Sequence, residues 1–200
     1  PYLKDVMRII LGSKSPRRQE ILKFFSLPFV VASPPFDERS VPFSGSGEVY
    51  VTEIAEKKGE ALLPEYRDEV VVTADTVVML GDEVLLKPKD DAEGKEMLLK
   101  LSGKPHDVIT GVAVRKGDKV LTGAEKTHVI FNALSEKEIH AYIKGMHGRD
   151  KAGGYGVQEM GSLLIKGIEG CFYNVIGLPV NTLNTLLNSF GINLWDVYPS

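Results

Sequence analysis

Apolar positions along the chain switch between two periods, and the switches outline the elements. "VMRIILGS" (6–13) is a nearly continuous apolar run and predicts a buried strand. In "SPRRQEILKFF", which follows, Ser15 suits an N-cap and Pro16 the first helical position. Ile21, Leu22 and Phe25 then recur at helical spacing. "PFVVAS" (28–33) predicts a second strand, closed by the proline-broken loop "PPFDERSVPFSGSG". Over 48–63, Val51, Ile54, Ala55 and Leu62 share one side of an amphipathic helix that should stop before Pro64. "EVVVTADTVVML" predicts a central strand, and "GDEVLL" returns from it through a Gly81-Asp82 hairpin turn. A helix is predicted over 91–101, and two long strands over 106–116 and 119–131 flank the turn "KGDK". The helix over 135–144 starts at the N-cap Ser135, with Glu138 completing a capping box. After a glycine-rich passage come strands at 162–168 and 172–176, then a final helix behind Pro179. Helices alternating with hairpins predict an α/β fold with a mixed sheet. No linker divides residues 1–200, so we read one domain, with two lobes about a cleft as the open alternative.

Composition narrows the function classes. With 24 basic against 27 acidic residues the net charge is −3, so no global field draws nucleic acid and any anion site must be a local cluster. A hydrophobic share of 43% over 200 residues suits a globular chain with a real core. The single Cys171 has no internal disulfide partner. With no Cys/His metal spacing beside it, it points to a reducing, cytoplasmic setting. The apolar runs are strand-sized and interrupted by Asp, so no membrane span is expected. No signal peptide is seen, and a start at Pro1 without a Met leaves room for a segment ahead of it.

Four local patterns carry candidate chemistry. Arg17 and Arg18 fall in a helix first turn, where the dipole is already positive and acidic residues are preferred. With the first-turn N–H groups they form an anion cradle suited to phosphate. Left alone they are exposed cations whose removal should not harm the fold. No G-x-x-x-x-G-K-[ST] motif occurs, so a P-loop is not the explanation. Asp75 lies in a run apolar on both sides, and a carboxylate there needs a partner. Alternation puts Thr73, Asp75 and Val77 on one face and Ala74 and Thr76 on the other. Either a structural cap or a catalytic base or metal ligand fits Asp75. The hairpin register brings Lys87 back beside residues 75 and 76. Glu38 in "FDERS" is a second carboxylate for a divalent metal, or a solvated charge. "RDKAGGYGVQ" (149–158) lets backbone approach a ligand, and the Gln158 amide can read a base edge. His106, alternating with Val108 and Thr110, reads as structural.

"LGSKSPRRQEIL", "VVVTADTVVML…LLKPKD", "LSGKPHDVITGVAV", "DKAGGYGVQ" and "NVIGLPVNTL" occur in this order over nearly the whole chain. Together they closely resemble the Maf family of nucleoside triphosphate pyrophosphatases. The resemblance implies an α/β fold with a deep cleft, related to the inosine-triphosphate pyrophosphatases. It implies hydrolysis of a nucleoside triphosphate to the monophosphate and pyrophosphate, a divalent cation (Mg or Mn) as cofactor, and a homodimer. The family's S-x-S-P-R-R motif falls on Ser13, Ser15, Pro16, Arg17 and Arg18, and its A-D-T aspartate, treated as proton acceptor, on Asp75. Its K-A and K-P lysines match Lys58 and Lys87, with Gly59 in place of the usual Ala. Groups preferring dTTP and UTP resemble this chain at Arg17, Thr76 and Gln158. The chain departs from the family at "GMHGRDKAG", where His147 stands in place of a common Glu. The implied arrangement has Arg17, Arg18, Lys58 and Lys87 on the triphosphate and the metal between it and Glu38 and Asp75. Asp75 then acts as base or as metal ligand only.

Overall fold

The structure, a computed structural model, describes residues 8–145 and 150–199. The His147 departure therefore lies outside the described residues, as do the first two residues of the first predicted strand. Among the described residues, seven strands form one mixed sheet: β1 (Ile9–Gly12), β2 (Phe29–Ala32), β3 (Val70–Leu80), β4 (Glu83–Leu85), β5 (Pro105–Lys116), β6 (Lys119–Phe131) and β7 (Ile165–Glu169). Their order is β2-β1-β3-β5-β6-β7, with β4 also on β3. β1 pairs in parallel with both β2 and β3, while β3–β4, β3–β5, β5–β6 and β6–β7 are antiparallel. The unbroken apolar run of β1 fits a strand with parallel neighbours on both sides and both faces covered.

Seven helices accompany the sheet among the described residues: α1 (Pro16–Leu22), α2 (Gly47–Ala61), α3 (Leu63–Tyr66), α4 (Asp91–Leu101), α5 (Glu136–Gly145), α6 (Phe172–Ile176) and α7 (Val180–Asn188). The capping box forms as its spacing predicts: the Ser135 N–H donates to Glu138 Oε1 at 2.9 Å, and the Glu138 N–H to Ser135 Oγ at 3.1 Å.

α2 stops before Pro64 as predicted, and Pro64 takes the first turn of the separate short helix α3, where no N–H is needed. Two predicted elements differ. The strand expected at 162–168 is Ile165–Glu169, because Glu159–Leu163 coil into a 3₁₀ turn first. Residues 172–176 form the helix α6 and not a strand, although Phe, Tyr, Val and Ile all favour extended backbone.

One gap in the sheet matters most. β5 covers one edge of β3 throughout the site region, whereas β1 pairs with Val70–Thr73 and β4 only with Val78–Leu80. Residues 74–77 thus have an open edge between the end of β1 and the start of β4. On one face of the sheet, Val72, Ala74 and Val112 belong to a core under α1 and α7, while Val78, Val108 and Val129 belong to a core with α4 and α5. Between these cores, on the same face, lie Thr76 and Thr110.

Candidate active site

A cleft of about 330 Å³ opens at that gap, and nine of the ten predicted site residues line it. This is the place where an open α/β sheet receives ligands, beyond the carboxyl end of β1 where the strand order diverges. Ser13 follows β1 directly and is buried. The Ser15 N–H donates to Ser13 Oγ at 3.1 Å, and Ser15 Oγ caps α1 by accepting from the Arg18 N–H at 3.4 Å. These bonds fix the turn that presents Arg17 and Arg18.

Arg18 is more than an exposed cation. Its Nε donates to the Gly177 carbonyl at 2.7 Å, Nη2 to Thr76 Oγ1 at 3.1 Å, and Nη1 to Ser13 Oγ at 3.3 Å. Burial pulls its guanidinium below the ordinary arginine value, with the Asp75 carboxylate opposing. The expectation that its removal leaves the fold unharmed is therefore corrected, because Gly177 and Thr76 would each lose a partner. Arg17 faces Asp150, with Nη1 3.4 Å from Oδ2.

On the opposite face of β3, Asp75 is 7% exposed and meets Lys58 of α2, 8% exposed. Lys58 Nζ donates to the free-edge carbonyl of Ala74 at 3.1 Å and lies 3.4 Å from Asp75 Oδ1 and 2.7 Å from Glu38 Oε1. Glu38 arrives on the short 3₁₀ turn Glu38–Ser40. Burial pushes the Asp75 carboxyl up, Lys58 opposing and Glu38 adding to the rise. For Glu38, burial acts upward too, but Lys58, then Lys87 and Arg18, together hold it below the ordinary value. Two neighbouring carboxylates are thereby pushed in opposite directions, a pattern found where acid–base roles are divided. As a cation site the pair offers hard oxygen donors from two separate elements, which fits Mg²⁺ or Mn²⁺. Among the described residues no group of three or more His, Cys, Asp or Glu gathers, so the remaining ligands would be phosphate oxygens and water.

Two predicted residues are placed differently. Lys87 reaches the cleft, but its Nζ lies 3.8 Å from Glu38 Oε2. The hairpin pairs as predicted, Val78 with Leu85, yet the chain leaves the sheet after Leu85, and Lys87 swings to Glu38 instead of Asp75. Gln158 is exposed and does not line the cleft; its neighbours Gly156 and Val157 do. Sequence reasoning passed over Lys14, Asp150 and Lys151, which also line it. The charged pair opening the glycine-rich loop was the available signal for the last two. His106 is structural as read: Nε2 meets the Tyr155 hydroxyl at 2.6 Å, and both rings pack edge-on against Phe131. Tyr155 lines the cleft, and the next residue's N–H donates to the Tyr142 hydroxyl at 3.0 Å, so this pair pins the loop.

Compared with known proteins, the chain matches the Maf-like protein family over residues 8–190. It belongs to the Maf family. This Maf chain is 47% identical over 190 residues to a dTTP/UTP pyrophosphatase of Chlamydia caviae, covering 94% of this chain and 97% of the relative. It is 43% identical over 186 residues to a dTTP/UTP pyrophosphatase of Symbiobacterium thermophilum, covering 93% and 95%. Among solved structures, the Ham1 protein of Staphylococcus aureus is 17% identical and superposes with a TM-score of 0.44 over 62% of this chain and 71% of that one.

Proposed function

We propose that this chain hydrolyses nucleoside triphosphates, dTTP and UTP foremost, to the monophosphate and pyrophosphate. The observation that carries the reading is the cleft at the sheet gap, where a buried carboxylate, Asp75, meets the Lys58 ammonium and Arg18 lines the same cleft. The names of the family relatives support the same activity. Phosphoryl chemistry asks a protein mainly for positioning and charge stabilisation, and these residues supply both. Arg17 and Arg18 hold the triphosphate at the N-terminus of α1, and Lys58 and Lys87 face it from the Glu38 side. Asp75 orients a water and takes its proton as the water oxygen attacks the α-phosphorus. The bond from that phosphorus to the bridging oxygen breaks, and pyrophosphate leaves. Glu38 and Asp75 would hold a Mg²⁺ or Mn²⁺ ion, which when bound neutralises charge on the phosphate oxygens. Thr76, facing the cleft from the other side of the strand, and Gln158, one residue beyond the lining Val157, set the choice of base.

No helix among the described residues is long and apolar enough to cross a membrane. The cytoplasmic location and the homodimer belong to this proposal as well, and light scattering at micromolar concentration tests the dimer. The deciding experiment is a panel of nucleoside triphosphates with Mg²⁺, scored for pyrophosphate released. Fast release from dTTP and UTP, slow release from ATP and dATP, and loss on chelation are expected. Binding without turnover would make the chain a nucleotide-responsive regulator instead. A preference for inosine triphosphate would make it a purine-cleaning enzyme.

A further inference from the structure

α6 has five residues, far too few to be helical on its own, and its sequence favours extended backbone. It is held by hydrogen bonds at three carbonyls, one within it and one on each flanking residue. Thr127 Oγ1 donates to the Cys171 carbonyl at 2.8 Å, Thr110 Oγ1 to the Asn174 carbonyl at 3.0 Å, and Arg18 Nε to the Gly177 carbonyl at 2.7 Å. Asn174 is at the centre, 0% exposed, its amide Nδ2 donating to the Val108 carbonyl at 3.0 Å and to Thr127 Oγ1 at 2.9 Å. Thr110 and Thr127 are likewise 0% exposed.

The polarity of the chain through Thr110 is forced. Arginine only donates and a carbonyl only accepts. Arg18 Nη2 therefore donates to Thr76 Oγ1. The Thr76 hydroxyl donates to Thr110 Oγ1 at 2.8 Å, and the Thr110 hydroxyl to the Asn174 carbonyl. Each hydroxyl has a single proton, so no other assignment satisfies all four groups. The guanidinium is gripped at all three nitrogens, and the grips by Thr76 and Gly177 lead back to Asn174. Three of its five N–H donors are used by Gly177, Thr76 and Ser13. One donor is left on each terminal nitrogen for a phosphate oxygen.

We infer that Asn174 and Thr110 are positioning residues that lock Arg18 in the orientation that receives the substrate's phosphates. Neither touches the substrate; they act through Thr76 and α6. The kinetic part of the test rests on the hydrolysis proposed above, and the other parts do not.

Thr110→Val keeps the shape of the side chain and removes its hydroxyl, whereas Thr110→Ser keeps the hydroxyl. In Thr110→Val, KM for dTTP should rise about tenfold with kcat within about twofold, and the Kd of pyrophosphate should rise by the same factor. Thr110→Ser should restore both. Added to Arg18→Ala, Thr110→Val should cost nothing further in pyrophosphate affinity, since the group it orients is gone. The Arg18 Nε–H resonance, assigned by its loss in Arg18→Ala, should exchange slowly in the parent protein and quickly in Thr110→Val. Thr127→Val, which frees Asn174 from the far side, gives a second route to the same readouts should Thr110→Val not fold. Unchanged pyrophosphate affinity and an unchanged Nε–H signal in a folded variant would overturn the lock, as would additivity with Arg18→Ala. Absence of turnover by the parent protein would overturn the functional reading alone, with pyrophosphate binding and the resonance still deciding the lock.

Discussion

β3 carries two polar clusters on its opposite faces, centred one residue apart, and they follow opposite rules. Around Asp75 the groups are charged, and burial leaves the carboxyl displaced upward even with Lys58 at 3.4 Å. Around Thr76 the groups that orient the Arg18 guanidinium are neutral, and every hydroxyl proton in the chain from Thr76 to Cys171 has an acceptor. In the first cluster burial leaves the Asp75 carboxyl raised, which suits a group that changes charge during reaction. In the second the donors are all paired, although Asn174 Oδ1 is buried without a partner, and paired donors are what a fixed geometry requires. Where chemistry is to happen the fold leaves charge unbalanced, and where orientation is to be kept it pairs its donors.

Asp75→Asn is the sharpest way to test this contrast. Hydrolysis should fall at least about a hundredfold while nucleotide binding survives. The folded-state pKa of Asp75 is raised, so its favourable contribution is present below the ordinary Asp value and is lost as pH rises through the raised one. Asp75→Asn removes that pH dependence and should melt at or above the temperature of the parent protein at neutral pH. A variant both less stable and inactive would remove the contrast. Arg18→Ala, next in size, should weaken triphosphate and pyrophosphate binding about 10–100-fold and leave nucleoside binding unchanged. It should also cost about 1–3 kcal/mol in urea unfolding, because the Gly177 carbonyl loses its donor.

His106 carries the comparison to a third buried group, one with no reacting partner. Burial depresses its pKa to about 4 from 6.5, so it is neutral at pH 7. The unfolded chain takes up the proton first as pH falls. Stability is full above pH 6.5 and declines by about 3 kcal/mol between there and about pH 4. Urea melts at pH 7 and pH 4.5 should show this loss for the parent protein and much less of it for His106→Gln. Smallest of all, Gln158→Ala should leave the melting temperature unchanged and narrow the dTTP-to-ATP ratio of kcat/KM about threefold to tenfold. An unchanged ratio would remove Gln158 from base selection.

Much of this site was legible because its signals are local. The cap at Ser15, the capping box at Ser135 and the alternation that separates Asp75 from Thr76 each need only a few consecutive residues. The open edge at residues 74–77 was not legible, since it depends on where a parallel strand from the start of the chain stops beside β3. The helix at 172–176 was not legible for a related reason: its propensities are extended, and side-chain hydrogen bonds that hold it and its flanks come from the distant residues Arg18, Thr110 and Thr127. Lys87 shows the intermediate case, in which a correct hairpin register did not fix where a long, flexible side chain goes.

Gly111 pairs with Asp75 across β3 and β5, and a Cβ there would come within 2.5 Å of the Val51 carbonyl carbon in α2. That contact is backbone on backbone and has no flexible end to yield, so α2 lies directly on the sheet and carries Lys58 at a fixed height above Asp75. A survey of random substitutions would consequently score Gly111 as harshly as Asp75, although it offers no functional group to any ligand. Abundance measured alongside activity would tell the two apart: Asp75 variants should accumulate normally and do nothing, and Gly111 variants should vanish from the cell.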